Sequence, residues 1–443
     1  MILSEEHSIR CSSCRKLYEE IDEFCYRSKN LHNQTNYLIA QCGRISRKLK
    51  EGTPLEEWEA EMLEQVNSAI SAYNESRPGK RKMESISGQN SFLADAYFLS
   101  WHLKTEENYK AMPYATCAQI CIQEVCRNWK AYYRGLQAFR KDPAKMTGCP
   151  RKPGYLDKNA GRNALVLTYQ NIRLSKDGTI SFPSFMKGIT VRSRHTAIRQ
   201  VRIITEADRI RILLMYEQKE AESTKASGCM GIDPGVNNLL AISMDTSAEP
   251  VLINGRPLKS INQYYNRRKA ELTSTAKSVN GVDMTEQIRR LTSKRNRKVK
   301  DYLHKASRMV VRIAEKNGIG TIVIGRNTGW KQEVSMGKKT NQSFTTIPHW
   351  KLIQMICYKA ELAGIRVITV DEKYTSGTSY HDNELPEKSS YRKSRRVKRG
   401  LFVCNDGYSI NADVNAAYQI MKKAGYGKGT PKLHENVKRM NVA

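Results

Sequence analysis

Apolar residues along the first third of the chain recur at helical steps. Between about Ser12 and Arg140, Leu17, Ile21, Phe24, Leu31, Leu38, Cys42 and Ile45 return largely at three- and four-residue intervals or their multiples. That spacing lines one face of a helix. A second stripe runs through Ala118, Ile122, Val125, Trp129, Tyr132 and Leu136. Residues 74–90 between them are polar and basic around Pro78-Gly79-Lys80-Arg81-Lys82, which predicts a mobile loop. The period changes near Thr147, where Pro150, Pro153 and Gly154 break the helical pattern. Short apolar or alternating runs follow, such as Ala164-Leu165-Val166-Leu167 and Gln200-Val201-Arg202-Ile203-Ile204, with Asp177-Gly178 as a hairpin turn. Residues from about 147 to 220 therefore predict a small antiparallel barrel or sheet.

Strand and helix alternate in the rest. Cys229 to Ser243 predicts a buried strand that turns at Asp233-Pro234-Gly235 and returns as a second strand. A long helical stretch over 259–317, broken near Asn280-Gly281, is followed by a strand over 321–325 and a helix over 349–363. A strand over 365–370 and a closing helix over 412–423 complete the series. An RNase H-like domain uses elements in this order, so the fold class expected is α/β with added helical and all-β parts.

Charge narrows the partner. The 443 residues hold 74 Lys and Arg against 44 Asp and Glu, a formal net charge of +30. Such an excess opposes compaction by self-repulsion, and phosphate polyanions are its natural counterweight. A merely basic ribosomal-type protein shares the composition, so charge alone names a class of partner. No run of 18 apolar residues occurs, and Met1 to Arg10 lacks the apolar core of a signal peptide. The eleven cysteines have no regular spacing, and Cys117, Cys121 and Cys126 fall in an apolar helical pattern. A cytoplasmic protein with reduced thiols is expected.

Two motifs suggest chemistry. In Gly231-Ile232-Asp233-Pro234-Gly235-Val236-Asn237-Asn238 an acid ends an apolar strand and a Pro-Gly turn follows it. That displays a carboxylate where a divalent cation can be held, although an ordinary Asp-Pro-Gly turn has the same sequence. In Ile410-Asn411-Ala412-Asp413-Val414-Asn415-Ala416-Ala417, Asp413 opens a helix whose small residues permit close packing on a sheet. Alone it is explained by the helix dipole. Together, in this order, the two acids stand at the ends of elements that such a domain brings together.

The pair Gly231-Ile-Asp-Pro-Gly235 and Asn411-Ala-Asp-Val-Asn-Ala-Ala417 resembles the first and third RuvC motifs of TnpB proteins, transposon-encoded relatives of compact type V CRISPR effectors. The stretch Leu291 to Ser307 resembles that family's basic helix. Tyr358 to Val367 resembles the lead into its later strand, and Lys29 to Tyr37 its first helix. The resemblance implies three domains. They are a helical recognition domain over 1–146 with an N-terminal wedge contribution, a β-barrel wedge domain over 147–222, and a RuvC/RNase H-like nuclease domain over 223–443. It further implies a guide RNA from the transposon end, a double-stranded DNA target, and cleavage beside a short flanking motif. No membrane partner is expected, and a monomer is favoured.

Two departures bear on chemistry. Typical members end the second RuvC strand in Glu, whereas Thr321-Ile-Val-Ile-Gly325 ends here in Gly. The neighbouring strand, Ile365 to Val370, runs into Asp371-Glu372, and the acid at Glu372 is unusual for the family. Adjacent strands lie about 4.8 Å apart, so Glu372 can replace the missing ligand. Asp233, Glu372 and Asp413 are then the expected catalytic residues and metal ligands for two Mg²⁺ ions, with Mn²⁺ as a possible substitute. Without that replacement the chain is a nuclease-inactive, repressor-like guided binder. The second departure concerns zinc. Ser379, Asp382, Val403 and Asp406 stand where two Cys-x-x-Cys pairs would be, in a degenerate zinc-ribbon insert at about 375–408. Only Cys404 is left as a soft ligand, so no zinc is expected. Cys11-Ser-Ser-Cys14 has no second pair at ribbon spacing.

Basic runs remain. Arg289, Arg290, Lys294, Arg295, Arg297 and Lys298 lie on one predicted helix with few acids near them, and a nucleic-acid backbone is their expected partner. Arg326, Trp330 and Lys331 follow the Gly325 strand end and are expected to touch nucleic acid, with a core anchor as the other reading of Trp330. Lys388, Arg392, Lys393, Arg395, Arg396, Lys398 and Arg399 in the insert suit either a solvated loop or nucleic-acid contact.

Overall fold

A computed structural model describes residues 1–90, 93–146, 148–219, 221–326, 346–398, 400–427 and 436–442. The chain divides into two compact units, Met1–Gln218 and Lys219–Ala443.

The first unit opens with β1 (Ile2–Arg10) and the 36-residue α1 (Arg15–Lys50). There follow α2 (Glu57–Glu75), α3 (Ala96–His102), α4 (Glu107–Lys110) and α5 (Ala115–Lys141). Next come β2 (Leu165–Thr168), the small antiparallel sheet of β3 (Arg173–Leu174), β4 (Thr179–Ser181) and β5 (Thr190–Arg192), and the long strands β6 (Ile198–Glu206) and β7 (Arg209–Glu217). The larger sheet has the order β1-β7-β6-β2. One buried cluster takes Ile21 and Cys25 from α1, Trp129 from α5, and Leu165, Ile203 and Leu214 from the sheet. Residues 1–146 and 147–218 thus share a core. The segment expected to be a mobile loop is clasped to α2 instead. Asn67 exchanges hydrogen bonds with the backbone of Ile86 at 2.8 and 3.1 Å, and Asn74 with that of Met83 at 2.8 Å. Ile86 is consequently buried. Two asparagine amides, not apolar spacing, order this stretch, so periodicity missed it.

The second unit is built on a six-stranded sheet. Its strands are β8 (Gly228–Pro234), β9 (Asn238–Met244), β10 (Val251–Asn254), β11 (Ile319–Arg326) and β12 (Arg366–Asp371), and β15 (Lys438–Met440) closes one edge. The order is β12-β11-β8-β9-β10-β15. β8, β9 and β10 form an antiparallel meander, while β11 runs parallel to both β8 and β12. Counted within the unit, the first five strands lie in the order 5-4-1-2-3, the RNase H-like arrangement. Between β10 and β11 run α6 (Arg256–Asn280) and α7 (Glu286–Lys316). Helix α8 (His349–Glu361) precedes β12. After β12 the insert carries the hairpin β13 (Leu401–Val403) and β14 (Ser409–Asn411), then leads into α9 (Ala412–Lys423).

Alternation along β8 feeds two cores. Met230 and Ile232 face Leu303 and Val310 of α7 and Leu352 and Ile356 of α8. Cys229, with Val323 of β11, faces Ala417, Tyr418 and Met421 of α9. Gly231 lets α9 approach the sheet: a β-carbon there would stand 2.1 Å from the carbonyl oxygen of Ala417. Mixed α/β architecture with helical and all-β parts is what the chain adopts. No described helix is long and apolar enough to cross a membrane.

Candidate metal centre

Three elements point their ends at one place. Asp233 is the penultimate residue of β8. Glu372 follows the last residue of β12, which pairs with β11 in the register Gly325↔Val370 and Arg326↔Asp371. Asp413 lies in the first turn of α9, whose N-cap, Asn411, accepts hydrogen bonds from the amides of Asp413 and Val414 at 3.0 and 3.2 Å. That cap fixes where the helix starts and hence where its carboxylate is presented.

Gly325 and Glu372 are spatially complementary. A β-carbon on Gly325 would lie 3.4 Å from Cβ of Glu372 and 2.5 Å from Cδ1 of Ile420. The carboxylate-bearing chain of Glu372 therefore starts beside the spot from which a side chain at 325 would start. Ile420 fills the space that such a side chain would need. Oε2 of Glu372 is buried and accepts no hydrogen bond among the described residues.

The electrostatics are those of crowded acids. Burial, then the charges of Glu372 and Asp413, push the Asp233 carboxyl well above the usual carboxylate range, against the opposing pull of Arg396. Burial and neighbouring Asp371 raise Glu372 to about 7. Asp413 is held by Asn238, whose Nδ2 donates to Oδ2 at 2.8 Å, and by Arg396, whose guanidinium donates to Oδ1 at 3.3 Å. Carboxylates forced together in this way need a cation or a proton to coexist. A buried, unpartnered carboxylate oxygen beside two further acids fits a hard divalent cation with oxygen ligands. The turn after Asp233 is also braced, because Nε2 of buried His349 donates to the carbonyl of Gly235 at 2.8 Å.

Among the described residues, the trio of His, Asp, Glu or Cys whose ligand atoms all lie within 4.8 Å of one another is a different one, His381, Asp382 and Asp406. These side chains sit in the insert over about 375–408 and are already engaged. His381 Nε2 meets Asp406 Oδ2 at 2.7 Å, and Asp382 accepts from the amide of Asn405 at 3.0 Å. The guanidinium of Arg395 enters the same cluster, 2.7 Å from Glu384 and 3.7 Å from Asp382, and also bonds Asn405. An arginine thus ties the two halves of the insert together. The insert docks on α9 through Asn415, which bonds the backbone of Thr378 and Tyr380 at 2.8 and 3.0 Å.

The basic residues separate by environment. Arg289, Arg290, Lys294 and Lys298 are exposed on α7, with Arg290 paired to Glu286 at 3.1 Å. Arg297 bonds Ser293 at 2.6 Å. Arg295 turns inward, donating to Asn262 at 2.7 Å and to the Thr346 carbonyl at 2.9 Å. Arg326 lies over the ring of Trp350, 4.3 Å from its centroid. Trp330, Lys331 and Arg399 lie outside the described residues. In the insert Lys388, Arg392, Lys393 and Lys398 are exposed, whereas the side chain of Arg395 is only 9% exposed. Sequence reasoning grouped Arg396 with a basic run and passed over Asn238 within its own motif. Only the fold puts both on Asp413.

Residues 211–331 match the family described as "Probable transposase", OrfB_IS605, and residues 349–420 match the Cas12f1-like TNB domain. Through these matches the chain is similar to TnpB proteins and to the compact type V effectors. Among curated relatives, the TnpB-like protein ORF457 of Acidianus two-tailed virus is 27% identical over 218 residues, 47% of this chain and 45% of that protein. The CRISPR-associated endodeoxyribonuclease Cas12f2 of Micrarchaeota archaeon (strain CG1_02_47_40) is 29% identical over 262 residues, 56% of this chain and 47% of that protein. The chain spans about half the length of the curated relatives it matches. Among solved structures, a Cas12f1–sgRNA–target DNA complex is 17% identical with a TM-score of 0.35, covering 94% of this chain and 98% of that one.

Proposed function

We propose that this chain is a transposon-associated, RNA-guided DNA endonuclease that hydrolyses phosphodiester bonds at a RuvC-type site. The observation that carries the reading is the position of Glu372. Its side chain starts 3.4 Å from where a β-carbon on Gly325 would be, and one of its oxygens is buried without a hydrogen-bond partner among the described residues. Asp233, Glu372 and Asp413 would hold two divalent cations, Mg²⁺ or Mn²⁺. Such ions lower the pKa of an attacking water and stabilise the leaving oxygen. The chain's own part is to present the ligands. Strand pairing sets the spacing of Asp233 and Glu372, the Asn411 cap aims Asp413, and Asn238 orients its carboxylate. Arg396 adds a positive charge beside the acids, suited to a phosphate drawn towards them. Guide RNA and double-stranded DNA are the proposed partners, with 1–146 and 147–222 as recognition and wedge parts.

Gly325 favours a second reading, a guided DNA binder that has lost its chemistry. The two separate in a cleavage assay with copurified guide RNA and Mg²⁺. Nicking by the natural chain, absent in Asp233→Ala and Glu372→Ala, supports the nuclease. Tight guided binding without any nicking establishes the silent binder.

A further inference from the structure

A second site lies within the RNase H-like unit, along the far edge of its sheet. A cavity of about 750 Å³ opens between the C-terminal half of α7 and the edge where β10 and β15 pair in parallel. Its floor is rich in sulfur: Met244, Met309 and Met440 line it. Its rim carries Lys305, Arg308, Arg312, Lys316 and Lys438 against a single lining acid, Glu249.

The spacing of the rim on α7 is not random. Positions 305, 308, 312 and 316 advance by three, four and four residues, which places them in one row along the helix. At 1.5 Å per residue the row is about 16 Å long. Lys305 has an internal partner, Asp301, at 3.1 Å. Arg308, Arg312, Lys316 and Lys438 form no ion pair among the described residues, and all four are exposed. Charge on this row is therefore left for something outside the unit. Two guanidinium groups suit phosphate oxygens, which they meet with two parallel hydrogen bonds. Thioether sulfurs suit the face of an aromatic ring. A floor that accepts a π-face beneath a rim that accepts phosphate matches an unpaired nucleotide within a strand. A base locked in a duplex cannot enter such a cavity, and its volume is in the range of small-ligand pockets.

We propose that this cavity is a single-strand subsite. One unpaired base lies on Met244, Met309 and Met440, and its flanking phosphates lie on Arg308, Arg312 and Lys316. The inference rests on the nucleic-acid reading above and on none of its hydrolytic chemistry.

The test uses the full chain and a short single-stranded oligonucleotide carrying 5-iodouracil. After irradiation, crosslinks are mapped by mass spectrometry, and affinity is measured over a salt series. Crosslinking to Met309 or Met440 is expected, and a duplex of the same sequence should give none there. The exposed double variant Arg308→Glu/Arg312→Glu should lose this crosslink and weaken strand binding at least about tenfold. Its log–log salt slope should fall by about 1.4, at about 0.7 for each phosphate of a single strand that is no longer neutralised. Lys316→Glu/Lys438→Glu serves as the second variant should the first melt at a lower temperature. Salt-sensitive strand binding with crosslinks only elsewhere, or with slopes unchanged in both variants, overturns the subsite and leaves the guided-nuclease reading standing. Absence of any strand binding by the natural chain overturns both.

Discussion

In the proposed site, Glu372 supplies from the neighbouring strand the ligand that Gly325 lacks. Parallel pairing of β11 and β12 brings the end of one strand beside the end of the other, so a carboxylate can move between strands without leaving the site. Replacing Glu372 with Gln keeps the shape and removes the charge that would bind a cation. Guided cleavage should fall at least about a hundredfold, comparable to removing a strong electrostatic group from an active site. Guided binding should change less than about threefold in a filter-binding assay, since little free energy of contact is at stake. Asp233 and Asp413 were legible in the sequence because each sits in a run whose turn or cap has a local signature. Asn238 and Arg396 were not, since their role lies in reaching Asp413 from segments 175 and 17 residues away.

At the level of elements, long periodic helices and the apolar strands β8, β11 and β12 could be read from spacing alone. β1 could not. Its nine residues include Glu5, Glu6, His7 and Arg10, and it is a strand because it pairs along its whole length with β7, about 200 residues later. The short strands β10 and β15 were missed as well: β10 has only four residues, and the three-residue edge strand β15 is a strand through its parallel pairing with β10, distant in sequence. The insert over about 375–408 shows a different kind of hidden order, in which Arg395 bridges Asp382 and Glu384. Arg395→Ala leaves Glu384 and Asp382 without their cation, and breaking a largely buried pair costs about 3–5 kcal/mol. Hydrogen exchange over 375–408 should rise sharply in that variant, while exchange in α1 stays unchanged.

In the first unit Asp22 of α1 is gripped by Arg162 at 2.7 and 2.9 Å and by the hydroxyl of Thr205. Burial pushes this carboxyl up, but the hydrogen bonds and charge of Arg162 and Thr205 outweigh it and hold it below its ordinary value. A depressed folded-state pKa means that the contribution to stability is complete above the unfolded value, about 3.9, and is lost as pH falls through the folded one. Asp22→Ala should cost about 1.5–3 kcal/mol near neutral pH. The gap between variant and natural chain should narrow in urea titrations as the pH is taken progressively below the unfolded value.

For the whole molecule, a net charge of +30 has consequences that no single contact carries. Unguided binding to DNA should weaken steeply with salt, by about 10³–10⁵ between roughly 50 and 200 mM if six to ten phosphates are neutralised. A fluorescence titration across that range measures it, and a flat response would mean that the basic surface does not meet a phosphate backbone. The molecule also concentrates its acids. Three of its 44 acidic residues are electrostatically coupled at the proposed metal centre, a local negative charge suited to a cation, while the positive charge of the rest of the molecule attracts phosphate.

The close seat of α9 on β8 gives an uncharged atom control over charged chemistry. With no methyl group on Gly231, the Ala417 carbonyl rests almost against the strand, and the helix whose first turn carries Asp413 is lowered onto the strand whose penultimate residue is Asp233. Alanine at 231 would act as a shim under that helix, spreading the two carboxylates apart while leaving every titratable group in the protein intact.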